Sequence, residues 1–268
     1  MKNNLKIVLW CGDAANQIAL ANKVANMFQL DGIVVEHRKK TEFTFKKLIS
    51  KIYDKLFFNE INRAWFEMLQ YYKNQFQKFP SAAVYETENI NDAGVKSFTE
   101  KFKPDVIMVS GTSLIKKELL QMKPRIGLFN LHTGLSPYVK GGPNCTNWCI
   151  SNNEFHLIGN SIMWIDEGID SGNLIATQQV KLEGSEKLTD IHIKVMEAAH
   201  QLYLDVLNVA ASDPDSLPNI AQNKIAIGKT YYSKMWNRET KARLLKNLRQ
   251  REYKSDENII TVKVNGQN

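Results

Sequence analysis

The sequence predicts an α/β protein: an open, mostly parallel twisted sheet with helices on both faces. Three observations carry that expectation. Residues 6–36 read as strand, helix, strand, a βαβ unit that implies a parallel pair with a right-handed crossover. Residues 105–110 hold the unbroken apolar run Val106 to Val109, the pattern of a strand covered on both faces. Strand-like and helix-like stretches then alternate through the rest of the chain. In such sheets ligands bind beyond the carboxyl ends of the strands, which points to the loops near 11–16, 110–115, 132–143 and 166–172.

Taken in order, residues 6–10 form a short apolar strand that Cys11, Gly12 and Asp13 end. Ile18, Leu20, Val24, Met27 and Phe28 fall at helical spacing, so 16–28 is a helix, and 32–36 is a second buried strand. Residues 39–79 are rich in Lys, Phe and Tyr. Phe43, Phe45, Leu48, Ile52, Tyr53, Leu56 and Phe57, then Ile61, Trp65, Met68, Leu69, Tyr72 and Phe76, sit three or four positions apart, which predicts a helical insertion of two amphipathic helices. A short strand at 82–85 precedes a helix that starts at Asn91-Asp92 and is stopped by Pro104. After the strand at 105–110 come the loop Gly111-Thr112-Ser113, a short helix over 114–122, a strand over 126–131 and a helix over 144–152. Residues 157–165 and 174–180 read as strands flanking a turn. Residues 187–210 form a long helix with Leu188, Ile191, Val195, Ala198, Leu202, Val206 and Val209 at helical spacing.

With 268 residues and 43% apolar side chains, the chain is long enough for a sizeable core and too apolar for a disordered one. No apolar run is long enough to span a membrane. The first apolar run is too short for an export signal, and three cysteines without such a signal fit a reducing cytoplasm. Residues 238–254 alone supply +5 of the net charge of +7, through seven basic and two acidic residues. Such runs are more often a solvated helix face than a binding site, so nucleic acid is not an expected partner. Cys145 and Cys149 lie one helical turn apart with no second pair nearby, so no metal is expected.

Two segments carry the chemistry. Asn130 and His132 stand two positions apart near a strand end, so an amide and an imidazole project into one cleft. Together they can stabilise an oxyanion that forms at a carbonyl carbon. The turn Asp166-Glu167-Gly168-Ile169-Asp170-Ser171-Gly172 offers carboxylates, and a carboxylate beside His132 favours the imidazolium.

The run Asn130-Leu131-His132-Thr133-Gly134-Leu135-Ser136-Pro137, followed by the 166–172 turn, resembles the N10-formyltetrahydrofolate-dependent formyltransferases. The resemblance covers residues 80–182 well and 5–37 more loosely; it does not extend to 39–79 or 211–268. It implies a Rossmann-like formyltransferase fold with N10-formyltetrahydrofolate as cosubstrate. It also implies catalytic roles for Asn130 on the oxyanion, His132 as charged donor or proton shuttle, and Asp170 as its holder. By the same resemblance Ser110, Gly111, Thr112, Leu114, Ile115, Asp166, Glu167 and Gly168 would meet the pterin. The domain expectation is a catalytic domain over 1–210 and an extension over 211–268 that closes over the acceptor or builds a homodimer.

The acceptor is read from departures. The loop at 11–17 has one glycine and an aspartate, a poor phosphate cradle compared with the Gly-rich loop of glycinamide ribonucleotide enzymes. The stretch after Ala210 is too short for the C-terminal barrel of methionyl-tRNA formyltransferases, and the sheet starts too early for the N-terminal domain of formyltetrahydrofolate hydrolases. Nucleotide-linked amino-sugar formyltransferases remain as the most similar group. Gly12, Lys140, Gly141, Tyr231 and Trp236 are then the residues expected to touch the acceptor.

Overall fold

A computed structural model describes residues 3–37, 52–250 and 259–264. Its centre is a seven-stranded sheet of order β3-β2-β1-β4-β5-β7-β8. The strands are β1 (Asn3–Gly12), β2 (Phe28–Glu36), β3 (Ala83–Thr87), β4 (Val106–Ser110), β5 (Gly127–His132), β7 (Gly159–Trp164) and β8 (Leu174–Gln179). The first five are parallel; β7 runs antiparallel to β5, and β8, antiparallel to β7, resumes the direction of the first five. The chain winds from β1 out to β3, then returns to β4 on the other side of β1. The carboxyl ends of β1 and β4 are thus the point where ligands enter such sheets.

Both sheet faces are covered, which is why the central strands are apolar at every position rather than at alternate ones. Ile7, Leu9 and Cys11 point into one core with Met108 and Phe129. Val8 and Trp10 point into the other with Val34, Val95, Ile107 and Val109. Helix α1 (Ala15–Met27) and the long helix α6 (Leu188–Ser212) cover the first face. Helix α3 (Ala93–Glu100) and the short helix α4 (Lys117–Leu120) cover the second. The Tyr203 hydroxyl of α6 accepts from the Val109 N–H at 3.1 Å and donates to the Phe129 carbonyl at 2.5 Å, so it bridges β4 and β5 one residue before Asn130.

In the expected insertion, the second helix is present as α2 (Asn59–Gln75), which buries Ile61, Ala64, Met68 and Tyr72. Residues 52–57 are helical too, and the rest of the first expected helix, with Phe43, Phe45 and Leu48, lies outside the described residues. A two-stranded sheet escaped sequence reading: β6 (Val139–Gly141) pairs in parallel with β9 (Lys229–Tyr231). Three-residue strands are too short to show a period.

That pairing fastens the C-terminal segment to the stretch of chain that follows β5. Helix α7 (Arg238–Gln250) lays Leu244, Leu245 and Leu248 against Trp148, Cys149 and Ile150 of helix α5 (Cys145–Ser151). The Asn247 side-chain amide donates to the Ile150 and Ser151 carbonyls at 2.9 and 3.0 Å, satisfying acceptors that a helix end leaves open. The basic run is therefore one exposed face of a packed amphipathic helix; Arg251 and Lys254 lie outside the described residues.

Helix α6 also buries two histidines. His192 lies edge-on to Trp65 and His200 lies beside Tyr72. Burial pushes His192 down to about 4, and burial together with the Lys23 charge pushes His200 down to about 3, from an ordinary 6.5. Both are neutral when folded and gain a proton on unfolding at mildly acidic pH, so the unfolded chain binds more protons there. Stability is therefore expected to fall as pH drops from about 6.5 towards about 4. Urea unfolding at pH 7 and pH 5 checks this: the wild-type midpoint drops at pH 5, and His200→Gln drops less.

Candidate functional site

Asn130 and His132 leave the same face of β5. Asp170 comes from the segment after β7. That segment follows the carboxyl end of β7, as the sequence implies. Because β7 is antiparallel, this end lies by the amino end of β5, beside Leu128, whose carbonyl accepts the Ile165 N–H at 3.1 Å. The segment then folds back until Asp170 reaches Asn130 and His132.

The Asp170 carboxylate gathers three donors. Oδ2 takes the Gly141 N–H at 3.0 Å and lies 3.3 Å from His132 Nδ1; Oδ1 takes an N–H of the Asn130 amide at 3.4 Å. Asp170 has a left-handed backbone, φ +48°, which Asp tolerates better than most side chains. The other nitrogen of His132, Nε2, is turned inward, 3.4 Å from the Val139 carbonyl and 3.5 Å from Cys145 Sγ. The Cys145 thiol donates to the Gly141 carbonyl at 3.4 Å. Both ring nitrogens thus face oxygen atoms that can accept a hydrogen bond. Burial, with the Asp170 charge nearby, pushes the Cys145 thiol far up, so it stays protonated and inert.

Two glycines make this geometry. A methyl group at Gly134 would stand 2.3 Å from His132 Nε2 and 2.9 Å from Cys145 Sγ. One at Gly141, where φ is +84°, would stand 2.1 Å from the Tyr231 carbonyl oxygen. Bare backbone there lets β9 close on β6 while the Gly141 N–H reaches Asp170.

The remaining expected residues divide. Ser110 is buried at the end of β4, and Gly111 follows in a left-handed conformation against Gln17, with Thr112 half-buried. Leu114 is 54% exposed, but Ile115 is buried among Ile107 and Leu119, so the second of the two apolar residues expected at the pterin is a core residue. Asp166, Glu167 and Gly168 are exposed, and Asp166 Oδ1 accepts from Gly168 N at 3.0 Å and Ser171 Oγ at 2.6 Å. A methyl at Gly12 would meet the Gly111 carbonyl oxygen at 2.9 Å, so Gly12 lets the ends of β1 and β4 approach. Lys140 stands half-buried on β6. Tyr231 is not free to stack on a ligand. Its ring lies flat on Trp148 at 4.4 Å and its hydroxyl accepts from the Asn152 amide at 2.7 Å. Trp236 packs edge-on against the same Trp148. Aromatic residues of the C-terminal segment secure α5, since a large apolar face there needs cover.

Two residues were missed. The buried Glu36 carboxylate accepts from Ile90 N at 2.8 Å and Ser113 N at 2.6 Å, anchoring the loop after β4; a charge closing an apolar strand was its only signal. Gln222 donates to the carbonyls of Asp170 and Gly172, both at 2.8 Å, from a stretch with no readable pattern. Among the described residues, no helix is long and apolar enough to cross a membrane, and no group of three or more His, Cys, Asp or Glu side chains is placed to hold a metal ion.

A family model described as formyl transferase matches residues 16–207, well over half of the chain. The chain belongs to the formyl transferase family. Members of this family take the formyl group from N10-formyltetrahydrofolate. Over 124 residues the chain is 32% identical to the methionyl-tRNA formyltransferase of Clostridium tetani (strain Massachusetts / E88), a match covering 46% of this chain and 39% of that relative. The chain thus spans less than half the length of this curated relative. A sugar N-formyltransferase from a Shewanella species superposes with a TM-score of 0.58 at 12% identity, over 91% of this chain and 87% of that one. A phosphoribosylglycinamide formyltransferase from Anaplasma phagocytophilum gives 0.57 at 10% identity, over 85% and 100%. At such identities the structural likeness is one of fold.

Gly134→Ala tests whether the ring's seat matters to the formyl transfer proposed below. It is expected to lower turnover about a hundredfold, the cost of a displacement on the order of 1 Å at a reacting group. Steady-state rates read against an unchanged melting temperature check it.

Proposed function

We propose that this chain transfers a formyl group from N10-formyltetrahydrofolate to the primary amine of a nucleotide-linked amino sugar. The observation that carries the transfer step is the Asp170 carboxylate joining the Asn130 amide to the His132 ring. The folate supplies an electrophilic formyl carbon. Asn130 has two amide hydrogens and gives one to Asp170, which leaves the other for the formyl oxygen as that oxygen gains charge. His132 carries its exchangeable proton on Nδ1, the nitrogen on the Asp170 side, because Nε2 is held inward. The amine nitrogen bonds to the formyl carbon; Asp170, which orients the ring, receives the proton that the amine releases, and that proton passes to folate N10 as the carbon–N10 bond breaks.

The residues present fit the cosubstrate. Leu114 offers exposed apolar surface after β4, and the exposed Asp166–Gly168 turn offers peptide groups to a pterin edge. The Gly168 N–H is already taken by Asp166, so the other peptide groups of that turn would make the contacts.

The acceptor reading rests on two supports. Asp13 sits where a phosphate would approach the start of α1, and its carboxylate faces His37 Nδ1 at 3.1 Å. An anion there would meet a carboxylate, which disfavours a phosphate cradle of the glycinamide ribonucleotide kind. Lys140, half-buried on β6, precedes the Gly141 whose N–H meets Asp170, and its charge suits a sugar diphosphate. A second reading, methionyl-tRNA as acceptor, is favoured by the curated relatives.

The test offers N10-formyltetrahydrofolate with a panel of amino-sugar nucleotides, glycinamide ribonucleotide and charged initiator tRNA, and weighs the products. Formylation of an amino-sugar nucleotide is expected; formylation of the tRNA alone would overturn the acceptor reading. His132→Ala and Asp170→Asn are each expected to lose more than about a hundredfold in turnover while folate binding survives. Near-normal turnover in either variant would refute the assigned roles.

A further inference from the structure

Asp170 is held by its carboxylate only on groups that take part in the reaction or border it. Its neighbours 166–169 and 171 are exposed. What fixes its backbone is the buried Gln222 side chain, whose amide nitrogen donates to the carbonyl oxygens of Asp170 and Gly172, both at 2.8 Å. Two carbonyl oxygens can only accept, so the nitrogen end of the amide must face them. Both hydrogens are thereby used on the two residues that flank Ser171.

Gln222 is itself well anchored. Ile220, two residues earlier, exchanges both backbone bonds with Leu174, at 2.8 and 3.1 Å. The Pro218 carbonyl accepts the Trp164 indole N–H at 2.9 Å, and Asn219 Oδ1 accepts the Asn173 amide at 2.8 Å. The Gln222 carbonyl accepts from Ile225 N at 3.0 Å and Ala226 N at 3.2 Å. Residues 218–222 thus form a strap along the segment that leaves β7 and returns as β8, and Gln222 is the point where the strap grips the loop.

We infer that Gln222 is a positioning residue for the reaction: it holds Asp170 in its left-handed conformation so that one carboxylate meets Asn130, His132 and Gly141 together. This rests on the catalytic role given to Asp170 above. Without the two donors, the Asp170–Gly172 end of the loop relaxes and the carboxylate drifts from the ring. The Gln222 side chain bonds Asp170 and Gly172 rather than the Asp166–Gly168 turn, whose own hydrogen bonds within the turn remain, so the loss falls on turnover and not on cosubstrate affinity.

The test is Gln222→Met, which keeps the length and removes the donors, compared with Asn219→Ala, which cuts a different tie of the same strap. Two measurements are read. The first is steady-state formyl transfer to whichever acceptor the panel identifies. Gln222→Met is expected to lower kcat at least about tenfold with KM for N10-formyltetrahydrofolate within about twofold, and Asn219→Ala to leave both unchanged. The second is amide hydrogen exchange at Gly141, whose N–H reports the Asp170 contact without any turnover. It is expected to speed up at least about tenfold in Gln222→Met while amides of β4 and β5 keep their rates. An unchanged Gly141 rate, or an equal speeding of every sheet amide, overturns the inference. Failure of every acceptor with wild-type protein sinks the proposed function, while the exchange comparison still decides the role of Gln222. If Gln222→Met does not fold, Gln222→Asn, which keeps the amide but shortens its reach, is read the same way.

Discussion

The contact on which the site depends is the carboxylate of Asp170 against the imidazole of His132. A charge with little exposure needs paired hydrogen bonds, and this one has a backbone N–H, a ring N–H and an amide N–H. Each donor comes from a different structural commitment. The ring needs a glycine at 134, the backbone donor needs a glycine at 141 where β6 meets β9, and the amide needs the face that β5 turns outward. The carboxylate itself arrives on a loop that starts at the far end of an antiparallel strand. Parallel winding prepares the cleft, and the antiparallel return closes it.

This arrangement also separates tasks among groups that resemble one another. Cys145 lies 3.5 Å from the imidazole, against 3.3 Å for Asp170, yet burial keeps its thiol protonated, so it serves as padding behind Nε2. Glu36 is as buried as any acid among the described residues, yet it accepts two backbone N–H groups and acts as a fastener for the loop after β4. His192 and His200 are sealed between helices without a carboxylate partner and are pushed towards neutrality, whereas His132 has a carboxylate on one side and a carbonyl on the other. Residue type is therefore a poor guide to role; the neighbouring acceptors decide it.

Most of the sheet was legible because its strands announce themselves physically. A strand buried on both faces must be apolar throughout, and Val106 to Val109 and residues 7–11 are. The Asn130–His132 spacing was legible for a similar reason, since a two-residue period fixes a shared face. Asp170 could be named from its turn, but its route could not, because the direction of β7 depends on partners rather than on local pattern. Tyr231 and Trp236 illustrate the opposite limit. Aromatic side chains near a cleft look alike in sequence whether they meet a ligand or, as here, another ring on α5. Gln222 left no trace at all, since a single amide donating to two carbonyls creates no periodicity and no charge.

The Tyr203 hydroxyl sits between the Val109 N–H and the Phe129 carbonyl, taking the place of a direct strand-to-strand bond. Removing that oxygen would strand a buried donor and a buried acceptor, a penalty of roughly 1–3 kcal/mol for each group. The outer helix and the inner sheet are thus mechanically coupled at the residue next to Asn130. Sliding of α6 along its axis would drag that peptide with it, so the position of the Asn130 amide is geared to how the helical layer sits.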